Sequence, residues 1–438
     1  MLKKLGYVFI LICFIIGLFF GIKIAVLKND FSFADSDVRV DKIFQNVEAR
    51  NVVVTKLYTY GRSLGIEGKL SNIDEDNYEN ARLIVVNGKG FEQVTKLNAH
   101  FEDGDLILRS DKINNTILID NLENNDYYVY IRLKLNNSAE PRFYSLENGT
   151  NIDSLDYYTV TKDGMNRKMV ASFKEEKTKN KEIKYLSFTI EDSTLPEDTY
   201  DIVIDAGHGG KDRGEFSVGV SEANLTLDYA TRLKAALEEL GYKVAMTRTE
   251  ENDSTFGYNN MYGEEGRIGL ACRTKAKLMI SLHVNNGFVA LKGFEIYAPT
   301  RSDISFAKSL ANKIKEKTTF EYSTNNSNKV ADGVYVEGYT AKNIKELAES
   351  AKNKGYEPYN ITEDTTYKYT IREVGGLATN AYVDGRNPAY SKNPYYDSVH
   401  GIECYQLELG YIKTDLDKLT SEKDSYVEAI AEAIKDNF

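Results

Sequence analysis

The sequence predicts an α/β domain in its C-terminal half, preceded by an all-β, sandwich-like module and an N-terminal transmembrane helix. Three observations carry that reading. Residues 5–22 form one uncharged apolar run. Between residues 35 and 191, short β-branched runs recur, separated by Asn-Gly, Asp-Gly and Asn-Asn turns. Beyond residue 200, apolar runs end in polar turns bearing histidine or acid, and segments of helical spacing lie between them.

The first run, Leu5 to Ile22, follows Lys3 and Lys4 and extends through Ile24-Ala25-Val26-Leu27 after Lys23. About 20 apolar residues span a bilayer core, whereas the apolar region of a signal peptide is usually ~7–15 residues. The expectation is an uncleaved anchor, with residues 1–34 forming a cytoplasmic tip, the membrane span and a juxtamembrane segment. Lys3 and Lys4 favour a cytoplasmic N-terminus. That makes a single-pass membrane protein with its body outside the cell. The alternative is secretion after cleavage of a signal peptide.

Residues 35–191 read as the all-β module. Its strands include Asn51-Val52-Val53-Val54-Thr55, Ala81 to Val86, Asp105-Leu106-Ile107-Leu108, Asn115 to Ile119 and Tyr127 to Leu133. It contains no catalytic cluster, so spacer, wall-binding and partner-docking roles all stay open. With no Trp beside 31 Tyr, it is an odd composition for a carbohydrate binder. Residues 192–199 read as a linker. The formal charge of −11 is offset by no basic stripe, which argues against nucleic acid. Cysteine is scarce: Cys13 lies in the expected anchor, and Cys272 and Cys404 are expected as buried thiols rather than a disulfide framework.

Residues 200–438 form the α/β domain. Tyr200-Asp201-Ile202-Val203-Ile204 reads as a buried strand, and Asp205-Ala206-Gly207-His208-Gly209-Gly210-Lys211-Asp212 follows it as a glycine-rich turn. In open α/β sheets ligands gather at such strand ends. Lys277 to Leu282 repeats the pattern and ends in His283-Val284-Asn285. Between them, Leu225, Tyr229, Leu233, Ala236, Leu237 and Leu240 recur at helical spacing, with Ser221 as N-cap and Gly241 as stop. The ordinary reading of Glu222 is a first-turn acid complementing the helix dipole.

Gly401 to Tyr411 reads as a further strand. Side chains alternate along a strand, so Cys404, Gln406 and Glu408 share one face and Glu403 lies on the other. A buried Glu408 needs a charged or metal partner, or its pKa rises. Two histidines and an acid are a common ligand set for catalytic zinc, and a further carboxylate can move the proton. The chain thus holds the parts for metal-assisted amide hydrolysis.

Several ordered motifs from Tyr200 to the C-terminus resemble the zinc-dependent N-acetylmuramoyl-L-alanine amidases of bacterial cell walls, the class called amidase type 3. They are Ile204 to Asp212, Ser221 to Leu225, Val244-Ala245-Met246-Thr247-Arg248, Arg267 with Leu270-Ala271, Ile280 to Asn285, and Leu407 to Ile412. The resemblance implies a mixed twisted sheet flanked by helices, with His208, Glu222 and His283 as zinc ligands and Glu408 as general base and acid. It implies peptidoglycan as substrate, cut between the lactyl group of N-acetylmuramic acid and the L-alanine of the stem peptide. Two other readings are an inactive wall-binding scaffold on the same fold and a zinc peptidase acting within the stem.

Asn285 and Arg372 are expected substrate contacts, the latter competing with a structural ion pair; Ile371-Arg372-Glu373 resembles a strand of the family. Asp205 and Asp212 are expected to hold the glycine turn, and Arg248 to be structural. His400 lies near the Glu408 strand, where it can face the cleft. Cys272, Lys277 and Thr414 depart from the family pattern. So does an insertion at residues 374–400, rich in Tyr, Asn and Gly, which reads as a flap over the substrate.

Overall fold

A computed structural model describes residues 47–438, apart from 89, 111–115, 161–165, 178–181, 251–265, 288–290, 301, 354, 356–360, 362–364 and 376–398. The N-terminal part is all-β. One sheet runs in the order Leu146–Asn148, Val52–Tyr60, Ser63–Ser71, Asp105–Arg109, Asn98–Glu102. The other runs Leu155–Val160, Asn166–Lys177, Glu182–Asp192, Asn125–Leu135, Tyr78–Asn87, Gly90–Lys96. Alternation puts one face of each strand inward: Leu106 and Leu108 are buried while Ile107 and Arg109 are half-buried. The shared core joins Val52, Val54, Leu106 and Leu108 of the first sheet to Leu83, Val85, Val129 and Phe188 of the second.

The C-terminal part is α/β with a mixed sheet of seven strands. Their order is Val244–Met246, Ile202–Ala206, Leu278–Asn285, Glu403–Tyr411, Glu295–Ala298, Val334–Val336, Lys329–Ala331. The first four are parallel, and Glu295–Ala298 runs antiparallel to Glu403–Tyr411. Helices Glu222–Glu239, Ser305–Lys317 and Lys423–Asn437 pack one face through Leu233, Leu310 and Ile430. Helices Arg267–Arg273 and Tyr369–Val374 cover the other through Ile268, Ile371 and Val374. Both faces are therefore buried, and all nine residues of Glu403–Tyr411 are buried, as parallel strands between helices require.

Two expectations are corrected. No helix among the described residues is long and apolar enough to cross a membrane. The longest, Glu222–Glu239, has 18 residues but buries only one face and exposes Arg232, Glu238 and Glu239. The transmembrane helix assigned to residues 5–22 falls outside the described residues. Membrane attachment through it, and the single-pass topology drawn from it, find no support among the described residues. The second correction concerns residues 371–373, which lie on the helix Tyr369–Val374 rather than a strand. Ile371 and Val374, three apart, share the helix face that packs on Met279 and Cys404.

The β module meets the α/β sheet at the starts of its strands. The short strand His400–Gly401, just ahead of Glu403, pairs in parallel with Thr59–Tyr60. Lys277, buried just before its strand, donates to Asp201 Oδ1 at 2.7 Å and to Thr159 Oγ1 of the β module at 3.2 Å. Lys275 reaches both oxygens of Asp156 at 3.2 Å. The departure at Lys277 thus has a physical account: it ties the sheet to the module beneath it.

Candidate metal centre and active site

The strand Ile202–Ala206 is buried throughout and delivers the chain into the histidine turn. There His208 adopts φ 63°, a left-handed conformation uncommon outside glycine. Close approach demands the neighbouring glycine: a Cβ on Gly207 would stand 2.5 Å from the Leu282 carbonyl oxygen and 2.6 Å from the His283 ring. Arg248 holds the turn from behind, donating to the carbonyls of Ala206 at 2.9 Å and Gly207 at 3.0 Å. Arg267 pairs with buried Asp205, which also accepts from Thr247 and Ser281, each at 2.7 Å. Burial would raise the Asp205 pKa, but the charges of Arg267 and His283 and these hydroxyl bonds lower it to about 2.

Ser221 caps the Glu222 helix, its hydroxyl accepting from Asn224 N at 3.3 Å. The cap turns the first helical residue inward. Glu222 is 2% exposed, not a surface acid at a helix end. Its Oε1 accepts from Val284 N at 2.8 Å, and its Oε2 from Glu215 N at 3.0 Å. The same Oε1 lies 3.0 Å from His208 Nε2 and 3.2 Å from His283 Nδ1. The two imidazoles stand edge to face, 5.0 Å between centroids.

One donor atom from each of His208, Glu222 and His283 lies within 4.8 Å of the others. This cluster is compatible with a divalent metal. His208 Nδ1 is engaged by Asp212 Oδ2 at 2.7 Å, which leaves Nε2 on the cluster side. Asp212 also accepts from Gly214 N at 3.0 Å, so it holds the turn and aims the ring. Burial lowers the His208 pKa, yet the hydrogen bonds and charges of Glu222 and Asp212 outweigh it and raise it to about 9. Burial pushes the Glu222 carboxyl up, and both histidines more than reverse that and hold it far below the usual range. Without an ion, His208 holds its proton more tightly than a free imidazole, and a metal must displace it.

Glu408 stands on the next strand, in register with His283. It is buried, and its Oε1 accepts from Gln406 Nε2 at 2.8 Å, as their shared strand face predicts. Burial raises its pKa, against the opposing charges of His283 and Lys368. Lys368 Nζ lies 3.9 Å from Glu408 Oε1 and 4.1 Å from the centre of the Tyr297 ring.

The remaining candidates separate. Asn285 is half-buried, two residues beyond His283, and donates to Glu295 Oε2 at 3.0 Å. Arg372 is buried and donates to Glu373 at 3.0 Å, to the Tyr339 hydroxyl at 2.9 Å and to the Tyr367 carbonyl at 2.8 Å. These internal partners suit the structural ion pair that competed with substrate contact. His400 lies at the module junction, 3.0 Å from Thr59 Oγ1. Cys272 and Cys404 are buried free thiols. The flap expected at residues 374–400 lies largely outside the described residues.

Sequence reading overlooked Lys368 and Glu295. Lys368 has no local signal, because only the fold brings its helix against the Glu408 strand. Glu295 had one: an acid inside the apolar run Gly293-Phe294-Glu295-Ile296-Tyr297-Ala298 raises the same question of partners as Glu408.

Residues 202–437 match the N-acetylmuramoyl-L-alanine amidase family, to which the ordered motifs pointed. Over 139 residues the chain is 27% identical to the uncharacterized protein YqiI of Bacillus subtilis (strain 168), covering 32% of this chain and 64% of that protein. Over 98 residues it is 36% identical to the germination-specific N-acetylmuramoyl-L-alanine amidase of the same organism, covering 21% of this chain and 41% of that one. Among solved structures, the amidase AmiC2 of Nostoc punctiforme aligns over 54% of this chain and 94% of its own, with 20% identity and a TM-score of 0.33. The chain therefore spans less than two thirds of the length of these curated relatives.

Proposed function

Because the chain belongs to the N-acetylmuramoyl-L-alanine amidase family, we propose that it hydrolyses peptidoglycan at the amide joining the lactyl group of N-acetylmuramic acid to the L-alanine of the stem peptide. One observation carries this reading: His208, Glu222 and His283 converge within 4.8 Å, and Glu408 stands in register beside His283. The donor set of two imidazoles and a carboxylate suits zinc, and these three residues would hold it. The bound ion supplies Lewis acidity to water and to a carbonyl.

The chain's own groups do the rest. Glu408 takes the proton from the attacking water and passes it to the departing amine. Its burial favours the proton-holding form, which suits the second half of that task, while Lys368 and His283 favour the charged form needed for the first. Gln406, bonded to Glu408 Oε1, keeps the carboxylate from turning. Asp212 keeps the His208 ring in one orientation.

The test is incubation of the purified, zinc-loaded chain with peptidoglycan, followed by mass spectrometry. The expected product is a peptide with a free N-terminal L-alanine. Cleavage between two amino acids would instead make it a peptidase, and absence of both products would remove the hydrolase reading.

A further inference from the structure

The acid opposite Glu408 has no part in the scheme above. Glu295 pairs with Glu408 in the antiparallel register of their strands and is 1% exposed. Its carboxylate accepts four hydrogen bonds. Oε1 takes Ser323 Oγ at 2.7 Å and the Tyr411 hydroxyl at 2.5 Å. Oε2 takes the Tyr297 hydroxyl at 2.8 Å and Asn285 Nδ2 at 3.0 Å. A carboxylate has about four lone-pair sites, so this one has nothing left for a metal or a substrate. Burial, reinforced by the Glu295 charge, holds both phenols above their usual range, so they stay donors.

The consequence falls on Asn285. A carboxylate cannot donate, so the NH₂ side of the Asn285 amide must face it, and the amide cannot turn over. The acceptor left is Oδ1, which no donor among the described residues engages. Asn285 shares a strand face with His283, two residues earlier. The residue is half-buried and follows the candidate ligand His283 by two positions on the same strand.

We infer that Glu295 is a positioning residue that locks Asn285 with its side-chain carbonyl toward the substrate, where it accepts an amide N–H of the stem peptide. This rests on the amide-hydrolase reading. It makes the site selective for a peptide carrying that N–H, because a methyl on the nitrogen removes the donor and meets a fixed oxygen.

The experiment uses the full chain with Glu408→Gln, so that binding is read by calorimetry without turnover. The probes are a synthetic muramoyl peptide and two analogues, N-methylated at the first or the second amide nitrogen. One analogue should bind roughly tenfold more weakly than the parent peptide, the size of one hydrogen bond. Adding Asn285→Ala should abolish that difference. Adding Glu295→Gln should shrink it, since glutamine offers its own N–H to Oδ1 and frees the amide to turn. Asn285→Ala leaves the Glu295 carboxylate three of its four donors, so it keeps the test open should Glu295→Gln fail to fold. Equal binding of all three probes to the starting protein, or discrimination that survives Asn285→Ala, would overturn the inference. Failure of the amidase reading looks different: discrimination stays, but the protein with Glu408 intact releases no peptide from peptidoglycan.

Discussion

The two ends of the central sheet hold buried charge in opposite ways. At the strand starts, Lys277 and Asp201 have side chains only 5% and 1% exposed, and each is answered by protein. Asp201 also accepts from Lys243 N at 2.9 Å. At the strand ends, His208, Glu222 and His283 turn their donor atoms on one another, with the histidine side chains 22% and 17% exposed. Among the described residues, no lysine or arginine forms an ion pair with Glu222. A saturated group is finished as structure, whereas converging lone pairs with solvent access are a site for something else. Glu295 belongs to the first kind although it lies at the second end, which is why it reads as support rather than chemistry.

The comparison breaks most plainly at the open end. His283→Ala should remove the metal and with it all measurable hydrolysis, seen by elemental analysis beside product release; full metal content in that variant would dissolve the proposed ligand set. Glu408→Gln should keep the metal and lower turnover by about 10²–10⁴-fold, the range for a general acid–base. Turnover within threefold of the parent would put proton transfer on another group.

At the closed end the effect is on stability. Lys277→Ala leaves Asp201 buried without its cation, which costs about 3–5 kcal/mol. Thermal unfolding should register it while metal content stays unchanged. A loss below about 1 kcal/mol would mean that Asp201 finds another partner or water.

The junction itself should be pH-sensitive through His400. Burial, helped by Lys275 and opposed by Asp156, lowers its pKa to about 4. In the unfolded chain the value is about 6.5. As pH falls from about 6.5 to about 4, the unfolded state takes up the proton first. The stability His400 contributes is thus complete above about pH 6.5 and gone below about pH 4, a change of roughly 3 kcal/mol at most. His400→Gln should flatten the melting temperature over that interval. An unchanged slope would clear His400 of the effect. The smallest expected change is Ser221→Ala at the Glu222 helix cap, about 1 kcal/mol by thermal unfolding.

Much of the site was legible because it was written in local pattern. Strand, glycine turn and histidine recur around His208 and His283; the alternation through Cys404, Gln406 and Glu408 placed Glu408 correctly on its face. Glu222 was ambiguous, since a first-turn acid reads the same whether it faces solvent or a metal. Arg372 was placed on a strand by resemblance alone; Ile371 and Val374, three apart, lie on one face of a helix but on opposite faces of a strand. The apolar run at residues 5–22 satisfied the length rule for a membrane span, yet that rule speaks only of solvent preference.

By itself the sequence marked most of the buried strands and the long helix after Ser221, where glycines must stand, and which side chains are candidates for chemistry, because these depend on side-chain size, polarity and period. Only the tertiary structure decided that Glu222 faces inward between two imidazoles, that Glu295 opposes Glu408, and that Lys277 reaches the β module. Each of those depends on strand order and register, which join residues far apart in the chain and leave no periodic trace within it.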